Sequence, residues 1–195
     1  MNDNGLLLFE LGMYEHLLDP LVRDYVAPVA AALFGDGDPF AVVTRTAGAG
    51  SKCDAKKHRN HGTFTCPGAT SIDHHRSFLV RYDAAETHRD ADLAYHYDDA
   101  EVTLNVNLGG AFEGGELLFG GSGEDERAEA HVRDRTRDLT PVTHREGVGI
   151  LHRGAHCHEA TPVTSGKRVN LIAWCRSAAA RKRRCAMCFR ARERT

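Results

Sequence analysis

His96 and Asp98 are separated by a single residue. In an extended strand such a pair projects from one face, so an imidazole nitrogen and a carboxylate oxygen can reach the same point. Both are ligands for a divalent first-row metal. The same spacing occurs again at His88 and Asp90, inside the charged run 83–92. What separates the two triplets is their sequel. After Asp98 the chain alternates, with Val102, Leu104, Val106 and Leu108 on one side and Thr103, Asn105 and Asn107 on the other. That pattern suits a strand with its apolar side on a packed layer and its polar side toward a cavity. The polar side is read as continuing the line of His96 and Asp98. No alternation follows Asp90, so His88 and Asp90 are read as part of a solvated loop.

The elements that must position this pair follow on either side. Gly109, Gly110, Gly114 and Gly115 mark a turn, with residues 116–119 as a close return strand. A second β region covers residues 148–175 and contains His152, His156 and His158. Ser165-Gly166 reads as a hairpin turn, after which Arg168, Asn170, Ile172 and Trp174 alternate against Val169, Leu171 and Ala173. A distal histidine from this region would complete a set of two imidazoles and one carboxylate. His152, His156 and His158 share parity, so spacing does not choose among them. Three ligands on one face of an octahedron leave three positions open, which suits non-haem Fe(II), whereas a catalytic zinc site usually keeps one. Residues 77–82 read as a further short strand. Residues 13–34 read as helical, with Leu17, Leu18, Leu21, Val22, Tyr25, Val26, Val29 and Leu33 recurring at three and four. Asp19-Pro20 reads as a cap and first-turn proline, and Pro28 should kink the helix near Ala27. Together these elements predict a mainly β protein, a small barrel or jelly roll with N-terminal helices packed outside.

A length of 195 residues suggests one domain, residues 1–180, with a basic tail at 181–195. The formal charge of −2 hides an asymmetry, because the tail's seven basic residues and one acidic residue leave the body at −8. An acidic body argues against broad nucleic-acid binding. No apolar stretch has the length of a membrane span and no signal-like N-terminus is present, so the expected location is cytoplasmic or nuclear. The six cysteines are expected to be reduced. Residues 46–72, with Cys53, His58, His61 and Cys66, read as a loop, zinc binding being the alternative. Residues 121–147 read as an exposed charged connection. Cys185 and Cys188 supply half of a zinc site at most, and Arg181-Lys182-Arg183-Arg184 reads as a solvated basic run or a nuclear address.

The stretch HYDDAEVTLNVNLGGAFEGGELLF, followed by GVGILHRGAHCHEATPVTSGKRVNLIAW, resembles the prolyl 4-hydroxylase-like branch of the 2-oxoglutarate and Fe(II)-dependent dioxygenases. The shared pattern is His-x-Asp, a strand, Gly-Gly, and later His-x-x-x-Pro-Val-x-x-Gly-x-Arg, filled by His158, Pro162, Val163, Gly166 and Arg168. Asp98-Asp99, the His152-Arg153-Gly154 segment, Trp174-Cys175-Arg176-Ser177 and the final Cys-x-x-Cys are similar to the group of 2-oxoglutarate and iron-dependent oxygenase domain-containing proteins. The resemblance implies a double-stranded β-helix in which His96, Asp98 and His158 hold Fe(II). It implies 2-oxoglutarate and O₂ as co-substrates, ascorbate as an accessory reductant, and a protein or small-molecule substrate such as peptidyl proline. Arg168 would pair with the distal carboxylate of 2-oxoglutarate, for which a guanidinium fork is suited. Tyr82 matches a tyrosine that touches 2-oxoglutarate in relatives. Asn107 stands where several prolyl hydroxylases carry a co-substrate-binding tyrosine. A nucleic-acid demethylase shares the triad and the Arg168-x-Asn170 pair, but needs a second Arg where this chain has Trp174. The remaining alternative is a non-catalytic binding protein on the same barrel.

Overall fold

Alternating strands become two facing antiparallel sheets in a computed structural model, which describes residues 5–34, 72–85, 92–120 and 139–183. The larger sheet runs β1 (Gly5–Leu7), β2 (His74–Asp83), β10 (Val163–Arg176), β4 (Val102–Gly109), β8 (Gly149–Arg153), with β5 (Phe112–Gly114) on the first part of β10. The smaller runs β3 (Leu93–His96), β9 (His158–Ala160), β6 (Leu117–Phe119), β7 (Thr140–Val142). From β2 onward the chain passes back and forth between the sheets, which is the double-stranded β-helix expected from the sequence.

The long strand β10 explains why the layers sort as they do. From Val169 onward its odd positions face outward, where Leu171 packs with Leu8 and Leu18, and Ala173 and Cys175 pack with Val22, Val26, Ala30 and Val102. These contacts seat the helical stretch 14–34 against the sheet, each buried Leu or Val contributing about 1.5–3 kcal/mol. Its even positions face inward, where Ile172 joins Val80, Tyr82, Leu117, Phe119, Ala160 and Val163 between the sheets. Arg168 and Asn170 are buried on that same inner side.

The helical stretch differs from a capped α-helix. It starts at Tyr14, so Asp19 has helical dihedrals instead of capping the helix, and its carboxylate pairs with His75 Nε2 at 2.8 Å. Wider π-type turns at Tyr14–Leu18 and Val22–Val26 precede the α-type pieces Asp19–Leu21 and Ala27–Phe34. In each case the proline, Pro20 or Pro28, is the second residue of the α piece. A proline ring crowds the carbonyl four residues back. Here the preceding N–H reaches five residues back, Ala27 to Val22 O and Asp19 to Tyr14 O, so the expected kink at Ala27 appears as a change of helix type.

Three strand expectations change. Ser165-Gly166 is no hairpin turn, because β10 runs straight through it and changes partner there, from Phe112 opposite Gly166 to Asp83 opposite Lys167. Gly166 has φ +73, and a Cβ there would lie 1.8 Å from Ala111 O, so glycine is required by a crossing backbone and not by a reversal. Leu117–Phe119 does not return beside β4 but crosses to the other sheet, against β7 and β9. Within the charged segment 121–147, Thr140–Val142 is a strand, at the sheet edge where Pro141 is tolerated. Residues 121–138, residues 46–71 of the loop, His88, Asp90, Cys185 and Cys188 lie outside the described residues.

The C-terminal end of β10 is tied to the chain just after Asp98. Ser177 N–H donates to Glu101 Oε2 at 2.6 Å, Arg176 Nη2 donates to Asp99 Oδ2 at 2.7 Å, and Arg181 Nη1 donates to Asp99 Oδ1 at 2.8 Å. The last helix, Ala178–Arg183, therefore crosses the boundary drawn at residue 180 from composition. Glu101 is almost fully buried, so removing a cationic partner leaves a poorly compensated charge. Arg181→Ala is expected to cost about 3 kcal/mol in urea unfolding, while a chain ending at Arg183 keeps the wild-type midpoint. Equal midpoints for Arg181→Ala and wild type would count against the anchoring role. Burial and the nearby Glu101 charge push the Cys175 thiol up to about 12. At pH 8 its thiolate fraction is roughly 10⁻⁴, so iodoacetamide should alkylate Cys175 only after guanidinium unfolding, as read by peptide mass spectrometry. Alkylation in the native protein would contradict this placement.

Candidate metal centre

β3 ends at His96, which pairs in register with His158, the first residue of β9. The two rings lie 4.4 Å apart between centroids. Beyond His96 the strand stops, and the chain turns through residues 97–101 before β4 starts in the other sheet. An unbroken strand would have grouped the even-numbered His96 and Asp98 with Val102. The break resets that count, and Asp98 meets the polar side of β4, where Thr103 Oγ1 donates to Asp98 Oδ2 at 2.6 Å. Asp98 Oδ1 is 3.5 Å from His96 Nε2 and Asp98 Oδ2 is 4.0 Å from His158 Nε2. One ligand atom from each of the three residues lies within 4.8 Å of the others.

The imidazoles are oriented by main-chain carbonyls. His96 Nδ1 donates to Ala94 O at 2.7 Å and His158 Nδ1 donates to His156 O at 3.0 Å. Since a carbonyl only accepts, each Nδ1 carries the hydrogen and each Nε2 offers its lone pair, the arrangement that metal-binding histidines adopt. His156 is turned away, with Nε2 on Gly120 O at 2.8 Å. His158 Nε2 thus faces Asp98 whereas His156 Nε2 does not.

The charges suit a cation. Burial opposes ionisation of Asp98, but the adjoining His96, His158 and His152 rings and the Thr103 hydroxyl outweigh it and bring the carboxyl down to about 2. Burial, with His152 and His96 alongside, brings His158 down to about 3. Burial likewise holds His152 below the usual histidine value. His96 is held above its usual value, the effect of Asp98 exceeding that of burial. At neutral pH the centre is one carboxylate with a neutral His158 beside it.

On the inner side of β10, Arg168 lies opposite Tyr82 in register and is 0% exposed. Its guanidinium carbon sits 4.4 Å above the Tyr82 ring and 5.6 Å from that of Phe112, contacts that favour a cation. Nη1 donates to Gly115 O, while Nε and Nη2 are buried with no hydrogen-bond partner. Burial lowers the pKa of this group. A buried cation with unfilled donors is costly unless an anion completes it. Asn107 is occupied by the fold itself: its Nδ2 donates to His144 O at 2.8 Å and its Oδ1 accepts from Gly109 N–H at 2.9 Å. Asn170 Nδ2 donates to Asn105 Oδ1 at 2.8 Å across the same inner wall.

No protein-family model matches the chain. Curated relatives do. A Xenopus tropicalis protein named 2-oxoglutarate and iron-dependent oxygenase domain-containing protein 2 is 38% identical over 188 residues, 96% of this chain and 42% of its own length. The Homo sapiens protein of that name is 36% identical over 190 residues, covering 97% and 43%. The chain is a homologue of these oxygenase-domain proteins. An Arabidopsis thaliana relative, 2-oxoglutarate and iron-dependent oxygenase domain-containing protein ICU11, is 37% identical over 184 residues, covering 93% and 37%. This homologue therefore spans about two fifths of the length of the relatives it matches. Among solved structures, a Pseudomonas putida prolyl-4-hydroxylase superposes with a TM-score of 0.41 at 15% identity over 55% of each chain. A viral collagen prolyl hydroxylase in complex with 2OG, from Paramecium Bursaria Chlorella virus-1, gives 0.35 at 20% identity over 55% of this chain and 63% of that one.

Three neighbours of the centre had no role assigned from sequence. Thr103 belongs to the polar side of β4, but its bond to Asp98 depends on the intervening turn. His152 has Nε2 3.8 Å from Asp98 Oδ2, although parity alone grouped it with His156 and His158. Gly154 lies beneath the 97–101 turn, where its carbonyl accepts Asp98 N–H at 2.8 Å and its N–H donates to Glu101 O at 3.1 Å. A Cβ on Gly154 would lie 1.9 Å from Ala100 O. Gly154→Ala is therefore expected to push the turn and Asp98 out of place and weaken divalent-ion binding about 10- to 100-fold, measured by Mn(II) titration calorimetry. Wild-type affinity in a folded variant would separate Gly154 from the centre.

Proposed function

We propose that this chain is an Fe(II)- and 2-oxoglutarate-dependent dioxygenase domain that hydroxylates a C–H bond of a protein residue or small molecule. The observation that carries the reading is a three-residue donor set and a buried guanidinium with two unfilled donors, enclosed by the same two sheets. His96, Asp98 and His158 would hold Fe(II), leaving the other face of the ion open. Bound there with 2-oxoglutarate, the ion supplies oxidising chemistry in which one O₂ atom enters succinate and the other enters the substrate, with loss of CO₂.

The chain's own residues supply position and enclosure. Arg168 takes the distal carboxylate of 2-oxoglutarate on the donors that the protein leaves unfilled, and Tyr82 holds the guanidinium plane. Asn107, its amide engaged by His144 and Gly109, shapes the wall beside the co-substrate. The apolar inner layer, with Phe119 and Ile172, keeps water from the reacting atoms. Ascorbate belongs to the proposal as an accessory reductant, and the cytoplasm or nucleus as the location. No helix among the described residues is long and apolar enough to cross a membrane. A nucleic-acid substrate is disfavoured because Trp174, half-buried, occupies the position of the required second arginine.

Succinate formation from 2-oxoglutarate with added Fe(II) tests the reading. His96→Ala, Asp98→Ala and His158→Ala should each abolish it, and retention of turnover in Asp98→Ala would sink the assignment of the centre. Arg168→Ala should weaken 2-oxoglutarate binding roughly ten- to a hundredfold, the equivalent of about 1.5–3 kcal/mol for a lost charge-assisted bond, and Arg168→Lys less, since lysine keeps the charge but not the fork. Unchanged co-substrate affinity in Arg168→Ala would remove it from the site.

A further inference from the structure

The turn between β7 and β8 joins the two sheets, and Asn107 clamps it with three hydrogen bonds. Asn107 N–H donates to Val148 O at 3.2 Å, Asn107 O accepts from Gly147 N–H at 2.8 Å, and Asn107 Nδ2 donates to His144 O at 2.8 Å. Asn107 lies opposite Asn170 in register, and Arg168 is the neighbouring inward residue of β10. The clamp therefore holds His144 beside the part of the inner wall that carries Arg168, close enough for the guanidinium charge to act on its ring. The ring is buried. Its Nε2 donates to Val148 O at 3.0 Å, which leaves the lone pair on Nδ1, and Nδ1 is buried with no hydrogen-bond partner. Arg168 Nε and Nη2 are likewise buried and unpartnered. A carboxylate has about four lone-pair sites, so it can accept the guanidinium fork and still take a third donor. His144 becomes such a donor on gaining a proton at Nδ1.

We propose that His144 is a second ligand of the distal carboxylate of 2-oxoglutarate: a proton enters at Nδ1 as the co-substrate binds, and the imidazolium donates to the carboxylate that Arg168 holds. This rests on the co-substrate reading above and adds to it a residue and a proton. Without co-substrate, burial and the Arg168 charge hold His144 below the usual histidine value, against the carbonyls of Val148 and Asn105, which favour the charged ring. Among the described residues, Arg168 on β10 is the charged group that bears on this ring, while Asn105 and Asn107 on β4 are neutral. A carboxylate on Arg168 offsets the guanidinium charge and places an anion beside the ring, so the proton affinity of His144 rises. The sign for binding follows by linkage. Affinity is greatest below the pKa of His144 in the free protein, falls as pH rises toward its pKa in the complex, and is level above that.

The test is titration calorimetry of the full chain loaded with Mn(II), with 2-oxoglutarate added in two buffers of different ionisation enthalpy so that the protons taken up are counted. At pH 7 the wild type is expected to take up roughly one proton more than His144→Gln, which keeps an amide donor for Val148 O but carries no charge. The ratio of wild-type to variant affinity should fall about tenfold between pH 6 and pH 8. With 2-oxobutyrate, which presents the same 2-oxo acid head and no distal carboxylate, the two proteins should take up equal numbers of protons. His144→Phe serves if the glutamine variant does not fold. Equal proton counts with 2-oxoglutarate, or a difference that persists with 2-oxobutyrate, would overturn the role of His144 and leave the co-substrate site in place. A Mn(II)-loaded wild type that binds neither acid would overturn the co-substrate reading with it.

Discussion

Asp98 keeps a negative charge at 4% exposure, and the strands around it are arranged to make that tolerable. Its main-chain N–H is held by Gly154 O, one carboxylate oxygen accepts from Thr103, and the other faces His96. These contacts come from two strands, one in each sheet, and from the turn after β8. A carboxylate isolated in this interior would take up a proton, whereas one gathered among donors stays ionised and offers its charge to a cation. The turn 97–101 is therefore where the two sheets are brought to a common point.

The interior of the barrel combines an apolar cluster with a polar wall. Thr103, Asn105, Asn107, Arg168 and Asn170 line the inner face of β4 and β10, and their amides are paired with each other or with loop backbone. Val102, Leu171, Ala173 and Cys175 of the same strands face outward and are covered by the helical stretch 14–34. Reversing the usual sense of burial needs that outer layer: without it Leu171, Ala173 and Cys175 would face water and the sheet would lose its packed side. The helices thus act on the centre indirectly, by allowing β4 and β10 to spend their inner faces on polar groups.

Asp99 and Glu101 flank the turn and carry the C-terminal helix through Arg176, Ser177 and Arg181. The last strand is consequently fixed at both ends, by this cluster and by the crossing at Gly166 beneath Ala111. Since β10 carries Arg168, the depth of the guanidinium in the barrel is set by anchors at its two ends.

Much of this was legible in the order of residue types. Alternation after Asp98, and again from Arg168 to Trp174, determines strands with one polar and one apolar side, because side chains on a strand alternate by geometry alone. His96 and Asp98 stand out by their spacing and residue types, but the turn 97–101, which brings Asp98 to the polar side of β4, was not legible. Pairing across sheets was not legible. Ser165-Gly166 satisfies the composition of a turn, yet its glycine serves a close backbone crossing, and only neighbours distant in sequence distinguish the two. The return of residues 116–119 to the other sheet has no local signal either. Parity left His152, His156 and His158 equivalent, since they share one face of an extended chain. Tertiary structure divides them: His158 is in register with His96, His156 turns to Gly120 O, and His152 brings its lone pair to Asp98. Local sequence determines which faces are polar, and long-range hydrogen bonding decides which of those faces meet.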